Sequence, residues 1–145
     1  MTLPVDYESE QYRFYKTLNM DVQLKPTSNK SQHYDVQMEN EDFVNVISHD
    51  SLCNAIVIAI MTRFNELNIP IYENFGCRVH ELIKARQTEM VKYQVELFIT
   101  DVLENIRRIK EIESVEVIVD EDNLYKINYH VLSISDELVS GSVRL

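Results

Sequence analysis

The feature that most constrains this chain is a change of hydrophobic period two-thirds of the way along it. Val91, Val95, Phe98, Ile99, Val102, Leu103 and Ile106 recur at steps of three and four, the spacing that lines one face of an α-helix. Val115, Val117 and Val119 then alternate with Glu116, Ile118 and Asp120, the spacing of a half-buried strand. A helix followed by strands with short connections dictates an α+β domain, in which the strands form an antiparallel meander.

The helix starts at Thr88, whose hydroxyl suits an N-cap, and is predicted to run to about Arg108. A second helix starts with Asp50 or Ser51 as cap. Leu52, Ala55, Ile56, Ala59, Ile60 and Phe64 lie on one face, with Val57 and Ile58 filling much of the rest. A helix apolar nearly all round belongs deep in a core. Asn68-Ile69-Pro70 is predicted to end it, because the residue before proline disfavours helical dihedrals. Val79, Leu82 and Ile83 mark a shorter helix between the two.

After the long helix, Asp120-Glu121-Asp122-Asn123 and Ser135-Asp136-Glu137 are turns. They separate strands carrying Val115–Val119, Leu124–Val131 and Leu138–Leu145. The expected fold is therefore helices packed on one face of a small three-stranded antiparallel meander, preceded by an N-terminal extension. The expected division is an arm with short strands over 1–48 and an α+β unit over 49–145, forming one body. In the arm, Tyr7, Tyr12, Phe14 and Tyr15 lack a period and read as a segment that packs onto something. Val22 and Leu24 make a short strand stopped by Pro26, Thr27 to Gln32 a polar loop, and Phe43 to Ile47 a second extended piece. The spacer Asp35 to Asp42 is predicted to carry a hairpin.

Composition narrows the function. The net charge is −10, with 4 basic against 9 acidic residues over 1–50 and 2 against 7 over 113–145. Nucleic acid and anionic membranes require clustered Lys and Arg, so neither is an expected partner. The acidity serves solubility, or steers a basic protein partner. The only glycines, Gly76 and Gly141, are too far apart for a phosphate-cradling loop. The longest apolar run, Ala55 to Met61, is too short to span a bilayer, and Met1 to Glu10 lacks a signal-peptide pattern. Cys53 and Cys77 show no CxxC spacing and read as reduced core thiols of an intracellular chain. His33, His49, His80 and His130 fall in four different elements, without zinc-ligand spacing. No metal, cofactor or catalytic nucleophile is expected.

From Leu52 onward the chain resembles the baseplate wedge family of contractile phage tails, often labelled lysozyme-like and related to type VI secretion baseplate subunits. Leu52, Ala55, Ile56 and Ile60 carry the resemblance first, followed by Met61-Thr62-Arg63, where the family commonly closes its first helix with threonine. Ile71-Tyr72-Glu73-Asn74-Phe75-Gly76-Cys77-Arg78-Val79 looks like the family's aromatic–glycine–short-helix segment. The long helix, an arginine-bearing corner and a meander complete the order. Many members have Glu-Pro-Arg at that corner; here it reads Asn105-Ile106-Arg107-Arg108-Ile109-Lys110, and Arg107 or Arg108 corresponds to the family arginine.

The resemblance implies a structural subunit of a virion tail baseplate, assembled in the host cytoplasm. Its implied partners are other wedge proteins, the tail sheath protein, and hub or spike proteins. The partner-interface candidates are Asn105, Arg107 and Arg108 at the corner, Phe75 and Gly76 in the connector, and Val139 and Val143 on the last strand. The two arginines, read as the helix C-terminus, either bond its last carbonyls or fork onto a neighbour's carboxylate. The last strand either has its edge blunted by Arg144 and Ser140-Gly141-Ser142, or accepts an incoming strand. The alternative is a peptidoglycan hydrolase, which needs two facing carboxyl groups. Glu89, Glu96, Asp101 and Glu104 interleave with Lys92 and Arg108 as a solvated face does, Asp120 to Asp122 sit in a turn, and tryptophan is absent. A stand-alone adaptor is the third reading.

Overall fold

In the computed structural model, which describes residues 20–28 and 33–145, the chain is mixed α+β, with two α-helices and several small antiparallel sheets. The four aromatics of the arm and the end of the polar loop lie outside the described residues.

The first described segment is a three-armed β-junction. Strands β1 (Met20–Val22) and β6 (Asn45–Ile47) pair antiparallel, as do β2 (Leu24–Pro26) with β3 (Tyr34–Val36), and β4 (Met38–Glu39) with β5 (Asp42–Phe43). The arms meet at a closed triangle of backbone hydrogen bonds. Gln23 donates to Val44, Val44 to Gln37, and Gln37 back to Gln23, over 2.7–3.1 Å. The strand stops at Pro26 as expected, with Pro26 its last residue, where a missing N–H is tolerated, but Val22 and Leu24 fall on two strands, β1 and β2, instead of one. The predicted hairpin is β4–β5. Its two-residue loop, Asn40-Glu41, has positive φ at both positions (51° and 64°), the handedness that matches strand twist.

Helix α1 (His49–Met61) follows directly. Its N-cap is Ser48 and not Asp50 or Ser51, and the Ser48 hydroxyl donates to Glu137 instead of capping. Asp50 occupies the first turn, where a carboxylate complements the helix dipole. The helix closes at Thr62, before the predicted Asn68-Ile69-Pro70. Thr62 turns extended, its hydroxyl bonding the Ile58 carbonyl at 2.6 Å, and Arg63 is drawn into a parallel bridge with Cys77. Asn54, buried on this helix, explains how the β-junction is held. Its amide donates to the Val22 carbonyl (2.6 Å) and accepts from the Leu24 N–H (3.4 Å), satisfying the backbone on both sides of Gln23.

The predicted short helix is a single 3₁₀ turn, Arg78–Glu81, and a further 3₁₀ turn, Pro70–Tyr72, opens the connector before it. Helix α2 (Glu89–Glu104) starts as expected, with the Thr88 hydroxyl accepting from the Val91 N–H. Its last helical residue is Glu104, four before the predicted end, with Asn105 as the C-cap.

Strands β7 (Ile109–Val119), β8 (Tyr125–Ser133) and β9 (Leu138–Arg144) form a three-stranded sheet in the order β7-β8-β9. β7 begins six residues before Val115, and two bulges explain why alternation does not reveal it. Extra residues between Ile109 and Glu111 and between Ile112 and Ser114 keep Ile109, Ile112, Val115 and Val117 opposite Ser133, Val131, Tyr129 and Ile127. Same-face residues are thus three apart, then two. Val95, Ile99 and Leu103 of α2, Leu52, Ile56 and Ile60 of α1, and Val117, Ile127, Tyr129 and Val131 of the sheet share one core. Each such apolar side chain contributes about 1.5–3 kcal/mol by leaving water.

Candidate functional site

The corner after α2 is built by Asn105. Its side-chain amide returns to the Asp101 carbonyl at 2.8 Å, closing the last turn, and the next three residues swing the chain into β7. Arg107 and Arg108 therefore lie in this turn, past the helix whose terminus they were expected to occupy. They part company there. Arg107 is exposed and has no hydrogen bond or ion pair among the described residues. Arg108 is half-buried against the start of α1, donating to the Ser51 hydroxyl (3.2 Å) and the Ser51 carbonyl (3.3 Å). Burial lowers the Arg108 pKa, and the nearby Asp21 carboxylate offsets part of that. Through these bonds its guanidinium ties the corner to α1.

Across from Asn105 runs the connector after α1. Gly76 has φ 102°, and a Cβ there would sit 2.5 Å from the Arg63 carbonyl oxygen and 2.9 Å from that of Thr62. The bridge of Arg63 with Cys77 brings the two backbones this close, so only glycine fits. Phe75, half-buried, meets the Tyr72 ring edge-on at 5.8 Å. Phe75, Gly76 and Asn105 line one small cleft of about 50 Å³, together with Ala59, Asp101 and Ile106. The adjacent pair Phe75 and Gly76 and, about thirty positions later, Asn105 are thereby neighbours.

Val139 and Val143 are corrections. Both are 0% exposed and point into the core, because on β9 they pair with Val131 and Ile127 of β8. Any contact made by β9 uses its backbone and its alternate residues. Arg144 does not blunt the edge as a free charge. It is held by Asp120 and Asp122 of the β7–β8 turn. Gly141 is required by packing, since the Tyr129 ring of β8 lies over it and leaves no room for a Cβ. This covering of a strand glycine by a cross-strand aromatic was not foreseen.

The titratable groups are mostly structural. Burial raises the Cys53 pKa, which a bond with Tyr129 lowers in part and Asp50 raises further. Its sulfur is 4.0 Å from His49 Nδ1, but a thiol shifted upward is the reverse of an activated nucleophile. Cys77 is more buried, with its pKa raised to about 11. His80 bonds the Ile60 carbonyl at 2.9 Å. For Asp120, burial pushes upward but is outweighed by Arg144 and by the N–H groups of Leu124 and Asp122, which hold it below the ordinary value.

Two apolar surfaces escaped the sequence reading. Ile69, Ile71 (81% exposed) and Tyr72 crown the connector beside Phe75. Tyr93 and Leu97 stand out on α2, four apart and off its buried stripe, a spacing visible in the sequence once the stripe is fixed.

No protein-family model matches this chain, and no curated protein matches it.

Proposed function

We propose that this chain is a structural wedge subunit of the baseplate of a contractile phage tail or phage-tail-like particle. In this reading the two helices lie on one face of the three-stranded meander and hold it rigid. The corner joins neighbouring wedge proteins, and the β9 edge templates the first ring of sheath at the base of the tail.

One observation carries the proposal: Phe75, Gly76 and Asn105 meet in one cleft, in the corner region where Arg107 is exposed. Phe75 and Gly76 belong to the connector through which the chain resembles the wedge family, and Asn105 opens the corner that carries the arginine pair. Tyr72, whose ring meets Phe75, is exposed together with Ile69 and Ile71 of the same connector, an apolar surface that a neighbouring subunit can cover. Arg107 offers an unspent planar guanidinium that a neighbour's carboxylate can engage bidentately. The closing of α1 at Thr62 also agrees with the family's order of elements. β9 has no strand on its outer side among the described residues, so its backbone groups are available for strand pairing.

Co-expression with the products of the neighbouring reading frames tests this. The chain should elute in a hetero-complex, and Arg107→Glu should release it as a folded monomer. A chain that stays monomeric with every neighbour and clears peptidoglycan suspensions would favour the hydrolase instead.

A further inference from the structure

A groove of about 560 Å³ runs between α2 and β7, starting beside the corner at Glu104, Ile109 and Lys110 and lined by no residue of β9. One wall is a single helical face, with Tyr93, Leu97 and Thr100 flanked by Glu96 and Glu104. The other wall is β7 itself, every residue from Ile109 to Val115 contributing. Such continuous lining means that the strand's outer edge is open along the groove. β7 is an edge strand, with β8 on its inner side and no strand beyond it among the described residues. Tyr93 is 59% and Leu97 49% exposed, and both line the groove opposite β7.

Charge selects the occupant. Glu96, Glu104, Glu111 and Glu113 line the groove against one cation, Lys110, which is already paired with Asp136. A second copy of a chain with net charge −10 would bring the same carboxylates against these. The two bulges add to this exclusion, since a bent edge cannot pair with another rigid sheet. A single flexible segment can follow the bend.

We propose that the α2–β7 groove binds an extended segment of a basic partner polypeptide, with apolar residues alternating with Lys or Arg. The segment lies along β7 and shares its backbone hydrogen bonds. Its apolar side chains rest on Tyr93, Leu97 and Ile112, and its cations meet the four glutamates. The seven residues of β7 span roughly 23 Å, which sets the segment at about seven to nine residues. The groove uses none of Phe75, Gly76, Asn105 and Arg107, and its test needs no tail particle.

The test uses the full chain, isotope-labelled, titrated with a synthetic peptide of about nine residues in which Val and Tyr alternate with Lys. Amide shifts should centre on 93–104 and 109–115, and β7 amides not bonded to β8 should gain protection from hydrogen exchange. The triple variant Glu96→Gln, Glu111→Gln, Glu113→Gln should weaken binding on the order of tenfold, and added salt should act in the same direction. A peptide with proline at alternate positions cannot donate the backbone bonds and should bind far less. Shifts centred elsewhere, equal binding of the proline peptide, an unaffected triple variant, or a groove closed by dimerisation would each overturn the proposal. Leu97→Ser, a single exposed change, gives a second reading should the triple variant unfold.

Discussion

Replacing Gly76 by alanine should destabilise the protein by about 3–5 kcal/mol, and the sum can be worked from two effects. A φ of 102° is one that L-residues rarely adopt, which costs about 1–3 kcal/mol. The new Cβ would also stand 2.5 Å from the Arg63 oxygen and 2.7 Å from its carbonyl carbon. Those are backbone atoms, so the relief is to open the bridge. The bonds from Cys77 N–H to Thr62 (2.8 Å) and from Phe64 N–H to Cys77 (3.1 Å) are then lost, at about 1 kcal/mol each. At roughly 3 °C per kcal/mol for a chain of this size, thermal unfolding followed by circular dichroism should shift down by about 9–15 °C. Urea titration supplies the free energy independently. Asn74→Gly is the control, since Asn74 holds a positive φ of 64° that asparagine tolerates, and it should move the midpoint little. An alanine variant melting within about 3 °C of the parent would refute the reasoning, because neither the strained φ nor the close bridge would then be real.

Arg108→Ala should cost about 1.5–3 kcal/mol through its lost bonds to Ser51, whereas Arg107→Ala should stay within about 0.5 kcal/mol; equal effects in urea titration would contradict the division of labour. Cys77, 1% exposed and with its pKa raised to about 11, should resist alkylation at pH 8 until urea opens the fold, and rapid native labelling read by mass spectrometry would speak against its burial. The Asp120 carboxyl titrates below its unfolded value, so it adds stability at neutral pH that disappears as acid protonates it in the native state, below about pH 4. Asp120→Asn should accordingly be weaker than the parent at pH 7, with the difference narrowing as the pH falls below about 4; a gap that does not narrow at all in acid would contradict the ionised form as its source.

Where one physical rule acts alone, the sequence predicts the structure closely. Thr88 caps α2 because a hydroxyl before an apolar stripe has one good use, and the turns at Asp120 and Ser135 follow from local side-chain bonding. Where two rules compete, tertiary contacts decide. Helical propensity runs through Thr62 to Pro70, yet the pairing of Arg63 with Cys77 ends α1 sooner. The start of β7 is hidden because its bulges space core residues three apart, which imitates a helix and made Arg107 and Arg108 look helical. Strand polarity misled in a different way. Their place on the last strand suggests an interface for Val139 and Val143, whereas alternation on β9 sends both valines inward. At the corner, Asn105, Phe75 and Gly76 were legible as candidates, but their convergence needed the fold. The α2–β7 groove was not legible, since its glutamates read as an ordinary solvated face until the open edge of β7 appeared beside them.

The most direct measurement is quantitative mass spectrometry of purified contractile particles from cells that produce this chain. A structural wedge role predicts the intact polypeptide in those particles at a fixed, low ratio to the sheath protein, retained after extensive washing and lost with the baseplate when tails are sheared. Its absence from assembled particles, with the protein recovered only free in the lysate, would contradict that role.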